Sequence, residues 1–513
     1  MKKLISVKNF LTLSIFLLIL SISFYASYNL RYYLRFGDEV GHWYVGSLIL
    51  KNKKIYNDIF SHHQPIIYYL SAITESIFKP ENLYKYIGIQ RMSIFFYSFF
   101  WNILLFIFFR QTSLIFIFIF EFIKLFFLGY QNLGETLAVY PFVFIIGNIF
   151  KEYIYKKTSI LETIFFCLAF FLSFFSLLPL WPIIAFLFIF KFFITRKKNR
   201  FILILLTFLS FFIFGFIINY KSYIKETIFY NIKYYIPSYE KKINLINFLI
   251  FPFQSLLPPY DDISILTIPF TLSFLYILIF SFKKDRKFFY FFIFLTLLLY
   301  LSNTRDQLLK FQDFPKFHML PWIGYFYFLI ILSLIYIYKK DKKITRIFLF
   351  LIIVTNFFLI LKNINFFKKR DFLNDFYINY SESEKYGKII NVLKDKNDTL
   401  LVIPNDPLIY YLTNINPPIR IVEYYPWMEK IKKENDSFEK LFKENPPDFI
   451  VDTGLTENGL IGRITLKKLS EDYLRINHLN KKSNLYIYKN KLKNINNEKV
   501  KKAKELLFEI EII

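Results

Sequence analysis

Chemistry-bearing side chains crowd into a few short stretches of this chain. Phe36-Gly37-Asp38-Glu39-Val40-Gly41-His42-Trp43-Tyr44 sets two adjacent carboxylates among aromatic residues, shortly after an apolar run. A carboxylate partly desolvated by such neighbours has a raised pKa and serves as a general base. A solvated acidic turn is the competing reading of the same residues. The stretch continues to Leu50 with an amphipathic pattern, which predicts a helix lying along a membrane surface.

Asn57-Asp58-Ile59-Phe60-Ser61-His62-His63-Gln64-Pro65 comes next, and Pro65 suits the start of a helix over Ile66-Ile67-Tyr68-Tyr69-Leu70. His62 and His63 have the chemistry to meet a phosphate, to coordinate a metal with Asp38 or Glu39, or to donate to loop carbonyls. Glu135 follows Gly134 at the mouth of an apolar segment, where it either reaches the same cavity or caps a helix start. Arg305 precedes Asp306, so its guanidinium either grips a phosphate bidentately or forms a surface ion pair. Asp313 and His318 close that loop, and four of the five histidines lie in loops of this kind. Glu121 and Lys124, three residues apart within an apolar run, share one helical face and read as a structural pair. The single cysteine, Cys167, reads as core packing, which excludes a disulfide framework or a cysteine-based metal site.

What must hold these residues is a membrane bundle. The chain is 55% hydrophobic and 22% aromatic over 513 residues, more apolar than ordinary soluble domains. Candidate spans fall near 9–28, 88–109, 112–129, 136–150, 160–177, 180–195, 201–219, 263–282, 288–302, 319–338 and 344–362, about eleven transmembrane helices. Two prolines in Leu178-Pro179-Leu180-Trp181-Pro182 favour a hairpin over one long helix. Alternate short loops collect Lys and Arg, as at Lys151, Lys156 and Lys157 or at Lys283, Lys284, Arg286 and Lys287, whereas Gly129–Glu135 and Leu178–Pro182 hold none. Positive loops mark the inner side, so the N-terminus is expected in the cytoplasm and the C-terminal region outside the cell membrane. Asp38, Glu39, the histidine pair, Glu135, Arg305 and His318 then share one outer face. The net charge of +26 is largely this topology signal, and no nucleic-acid partner is expected.

These residues resemble a family, the GT-C glycosyltransferases that take a sugar from a polyprenyl phosphate, of the type that includes protein O-mannosyltransferases and the aminoarabinose transferase of lipid A. Asp38-Glu39 resembles that family's acidic pair in the first outer loop, here residues 29–87. Tyr56-Asn57-Asp58 and His62-His63-Gln64-Pro65 resemble the loop's closing segment, with Gln64 where many members have a second proline. Glu135 stands where an acid lies in the second outer loop, and Phe314-Pro315-Lys316-Phe317-His318-Met319-Leu320-Pro321 is similar to the start of a late helix. Leu400-Leu401-Val402-Ile403-Pro404-Asn405-Asp406-Pro407 and Pro417-Pro418-Ile419-Arg420 resemble the external domain of bacterial members.

The resemblance implies a GT-C type membrane domain over 1–362 and an extracytoplasmic domain over 363–513. It implies an inverting sugar transferase using a polyprenyl-phosphate donor and a lipid-linked glycan, lipid or protein acceptor. Asp38 would be the base, with Glu39 and Glu135 positioning it or a divalent cation. His62, His63, Glu135, Arg305 and His318 would contact substrate. A flippase of lipid-linked sugars or an inactive assembly scaffold are the competing functions; the first requires polar residues lining a path across the membrane. In the C-terminal region, short apolar runs at Thr399–Ile403, Phe449–Val451 and Leu485–Tyr488 alternate with helical stretches and predict a small α/β unit. No Gly-rich phosphate loop or catalytic serine motif occurs there.

Overall fold

The computed structural model describes residues 7–239, 245–250, 253, 256, 264–302, 316–455, 460–478 and 481–509. Each of the eleven apolar segments is helical over most of its length. In chain order the first nine helices are α1 (Val7–Asn29), α2 (Gly37–Leu50), α3 (Ile66–Phe78), α4 (Leu83–Phe109), α5 (Gln111–Phe126), α6 (Gly134–Tyr155), α7 (Ile160–Phe174), α8 (Trp181–Ile194) and α9 (Lys197–Ile217). Ser264–Lys284, Arg286–Leu297, Leu320–Tyr338 and Lys342–Lys362 complete the bundle. Seven of these helices are long and apolar enough to cross a membrane. The segments α5, α7, α8 and Arg286–Leu297 are shorter, at 16, 15, 14 and 12 residues.

Helix α6 and Leu320–Tyr338 are the buried centre of the bundle. They cross closely because position 324 is glycine: a Cβ there would lie 2.4 Å from Val139 Cγ2. Helix α9 behaves in the opposite way. Phe201, Phe208, Phe212 and Phe216 form a stripe at helical spacing, each at least 54% exposed among the described residues. Such a face suits acyl chains as its solvent. Inside the bundle, Lys124 pairs with Glu121 at 2.7 Å, and that carboxylate also accepts from Ser23, Asn102 and Tyr140. Ser23, Asn102 and Tyr140 reach this carboxylate from three neighbouring helices, as a charge within the membrane interior requires.

Among the described residues the strands lie in the C-terminal region: β1 (Leu400–Ile403), β2 (Phe449–Asp452), β3 (Tyr473–His478), β4 (Lys481–Tyr488) and β5 (Phe508–Glu509). Their order is β1-β2-β4-β3-β5. Strands β1 and β2 run parallel, as expected across a connection that contains a helix, Lys432–Glu444; the remaining pairs are antiparallel. Alternating apolar residues of the sheet bury against Phe372–Leu393 on one side and Lys432–Glu444 on the other.

This unit docks on residues 29–87. Arg35 pairs with Asp406 at 2.6 Å, the Tyr44 and Tyr410 rings stack at 5.6 Å, and Tyr86 stacks on Tyr411 at 4.0 Å. Helix α2 therefore departs from the expected surface helix: ten consecutive residues, Glu39–Leu48, are buried. Its second face is covered by the C-terminal unit, a partner that periodicity within α2 does not reveal.

Candidate active site

A cavity of about 350 Å³ opens where helix ends of the bundle meet the C-terminal unit. Its polar lining gathers Asp38 and His42 from α2, His62, His63 and Gln64 from the turn before α3, and Glu135 from the first turn of α6. His318 enters from the turn before Leu320–Tyr338, Asn231 and Tyr235 from 220–239, and Tyr425 from the C-terminal unit. Asp38 and Glu135 lie in first helical turns, and the turns Leu178–Leu180 and Lys316–Met319 precede further helices. Helix N-termini carry partial positive charge, which favours anionic groups here.

Asp38 and Glu39 are adjacent in sequence but about 100° apart on a helix, so they cannot serve one centre. Asp38 faces the cavity, and its Oδ1 lies 3.0 Å from the Tyr425 hydroxyl. Glu39 turns inward, is fully buried, and is absent from the cavity lining. Arg91 Nη2 donates to Glu39 Oε2 at 2.7 Å, and the Asn132 N–H donates to Oε1 at 2.9 Å. Arg91 also donates to the carbonyls of Tyr33 and Leu34, each at 2.6 Å. Leu34 holds a left-handed conformation with φ 53°, so this charge pair fastens the strained turn that aims α2.

His42, one helical turn beyond Asp38, has a fixed tautomer. Its Nδ1 lies 2.9 Å from the Asn132 carbonyl, which can only accept, so Nδ1 carries the proton. Its Nε2 is then a bare lone pair, buried in the cavity wall with no hydrogen-bond partner. Burial, then the neighbouring His63, hold the ring's pKa down to about 3, so it stays neutral. His62 packs its ring among Tyr235, Tyr425 and Trp427, and burial keeps it neutral as well. Gln64 accepts from Tyr223 at 2.6 Å and leaves Nε2 buried without a partner in the cavity wall.

Glu135 Oε1 lies 2.7 Å from His318 Nδ1, so two residues 183 positions apart form one polar corner. Arg305, Asp306 and Asp313 lie outside the described residues. The described lining contains no Lys or Arg. For a divalent cation the donor set does not fit: among the described residues no three His, Cys, Asp or Glu side chains converge as a ligand set. Glu39 in particular is committed to Arg91 and cannot join Asp38 and Glu135 around an ion.

Several residues in and behind the cavity wall were not legible in the sequence. Arg91 carried a usable signal, a charge within an apolar helix, which needs a buried partner. Asn132, Asn231, Glu423 and Tyr425 carried none, since polar and aromatic residues are frequent throughout this chain.

No protein-family model matches the sequence, and no curated protein matches it. Among solved structures, the crystal structure of ArnT from Cupriavidus metallidurans bound to undecaprenyl phosphate is similar, with a TM-score of 0.56 at 9% identity. The match covers 93% of this chain and 97% of that one. At that identity the likeness is one of fold. The chain is a multi-pass α-helical membrane protein with a small C-terminal α/β unit, in the GT-C fold of ArnT.

Proposed function

We propose that this protein is an integral-membrane glycosyltransferase that moves a sugar from a polyprenyl-phosphate donor to a lipid-linked glycan, lipid or protein acceptor at the outer face of the cell membrane. The observation that carries the reading is Asp38, a carboxylate lining a cavity at the outer helix ends of an ArnT-like fold. The similar ArnT structure is bound to undecaprenyl phosphate, the class of leaving group such a donor releases. Clustered Lys and Arg in alternate loops support a cytoplasmic N-terminus and an external C-terminal unit.

The acceptor oxygen attacks the anomeric carbon, its proton passes to Asp38, and the bond from that carbon to the phosphate oxygen breaks. The phosphate leaves with the electron pair. A single displacement inverts the configuration at the sugar carbon. Helix N-termini at the cavity favour the charge that develops on the leaving phosphate. His42 Nε2 accepts a hydrogen bond from a substrate hydroxyl, and Glu135 with His318 holds the ligand at a second polar corner of the cavity. Glu39 orients α2 through Arg91 and does not itself take a proton. Arg305 remains the candidate for a phosphate contact. Inside the bundle Glu121 and Lys124 pair with one another at 2.7 Å, which favours a structural role for these charges over a transport path.

The test is transfer of radiolabelled sugar from a panel of polyprenyl-phosphate sugars by purified protein in lipid. Transfer by wild type and its loss in Asp38→Asn are expected. A folded Asp38→Asn protein that transfers sugar at the wild-type rate would overturn the assignment.

A further inference from the structure

One phenol joins the two halves of the molecule at the candidate base. The Tyr425 hydroxyl lies 3.0 Å from Asp38 Oδ1 and 3.0 Å from Glu423 Oε2. A tyrosine hydroxyl holds one proton and donates to one acceptor at a time. With both carboxyls ionised, one of the two contacts would press an oxygen lone pair against a negative oxygen with no hydrogen between them. The geometry therefore requires a second proton, and it belongs on one of the two acids.

The surroundings identify which. Asp38 opens onto the cavity, where solvent and substrate reach it. Glu423 is pressed against the backbone of α2: a Cβ at position 41 would stand 2.1 Å from Glu423 Oε1, so only glycine admits it. The cation nearby, Arg35, is engaged by Asp406 and Ser383. Burial first, and the Asp38 charge second, drive the Glu423 carboxyl well up from its ordinary value. Two acids sharing a confined site avoid double ionisation in the same way.

We propose that Glu423 is a protonated acid that donates to the Tyr425 oxygen while Tyr425 donates to Asp38 Oδ1, making both C-terminal residues positioning groups for the base. The proposal rests on the glycosyltransferase reading and extends it. With Oδ1 held by the phenol, Oδ2 is left to receive the proton of the acceptor hydroxyl. The C-terminal unit is then a working part of the reaction centre rather than a cover. Gly41 is part of the device, because a side chain there displaces Glu423.

Two measurements on the full-length protein in lipid test it. The first is infrared difference spectroscopy of wild type against Glu423→Gln at neutral pH. A carbonyl stretch of protonated carboxylic acid, present in wild type and missing in the variant, is expected; superposable spectra in that region overturn the proposal. The second is sugar transfer. Tyr425→Phe and Glu423→Ala should each lower kcat by about tenfold with donor KM little changed. Glu423→Gln should restore most of the turnover lost in Glu423→Ala, since an amide N–H donates to the phenol as the acid does. A Gln variant as poor as Ala, or Phe and Ala variants as fast as wild type, overturns the proposal. If wild type turns over no donor, the functional reading fails, and the infrared comparison still decides whether Glu423 holds the proton.

Discussion

The cluster around Glu121 in the bundle and the cavity around Asp38 both bury carboxylates, yet they differ in how those carboxylates are answered. In the bundle, Glu121 is met by Lys124, Ser23, Asn102 and Tyr140, all from the membrane helices. In the cavity, His42 Nε2 and Gln64 Nε2 are buried without partners, and Asp38 faces open space. A satisfied network stabilises a fold, whereas buried groups left unanswered carry a desolvation cost that a ligand can relieve. The same chemistry thus reads as scaffold in one place and as site in the other.

Substitutions that exchange these roles are the sharpest test. Asp38→Asn should lower sugar transfer by about a thousandfold while the thermal midpoint stays at the wild-type value. Glu121→Ala should do the reverse: it strands Lys124 in the membrane interior, costing about 3–5 kcal/mol of stability while activity per folded molecule persists. Thermal unfolding and transfer, measured together on both variants, check the contrast. A dead but stable Glu121→Ala would place catalysis inside the bundle.

The two regions should also part in acid. His42 has its folded pKa depressed from 6.5 to about 3, so between those values the unfolded chain binds a proton that the folded chain refuses. Its contribution to stability is complete above pH 6.5 and is lost as pH falls, by about 1.4 kcal/mol per unit until the folded pKa is reached. Melting curves of wild type and His42→Phe across this window should show a shallower acid dependence in the variant. The same variant should lose about tenfold in transfer at neutral pH, through the missing acceptor for a substrate hydroxyl. The smallest effect is expected at Glu81, whose contact with Lys85 is fully exposed at the surface. Glu81→Ala should leave both the melting curve and transfer unchanged, the baseline against which the other variants are read.

Sequence reading went furthest where the signal is local. Apolar runs of spanning length mark the bundle, Pro179 and Pro182 mark the turn between α7 and α8, and short apolar runs mark β1, β2 and β4 but not β3 or β5. Asp38, His62, His63, Glu135 and His318 were legible as a group because they fall in loops on one side, and they share one cavity. Glu39 was not separable from Asp38 by sequence, since both carboxylates sit in the same turn and only the fold shows that one meets Arg91. Helix α2 looked like a surface helix because its covering partner begins more than 300 residues later. Gln64 stood out as a departure from a familiar pattern, while its use, an amide offered to the cavity, emerged only from its neighbours.

By itself the sequence determined that this chain builds a polytopic bundle with its unusual polar residues between spans and an α/β unit after them. Hydropathy, loop charge and proline placement act over one helix or one turn, so they are written in contiguous residues. Tertiary structure alone decided which of two neighbouring acids faces the cavity, which tautomer His42 holds, and that Tyr425 reaches Asp38 across 387 positions. Those outcomes depend on where distant backbones place single atoms, and hydrogen-bond geometry at that scale has no local trace in the chain.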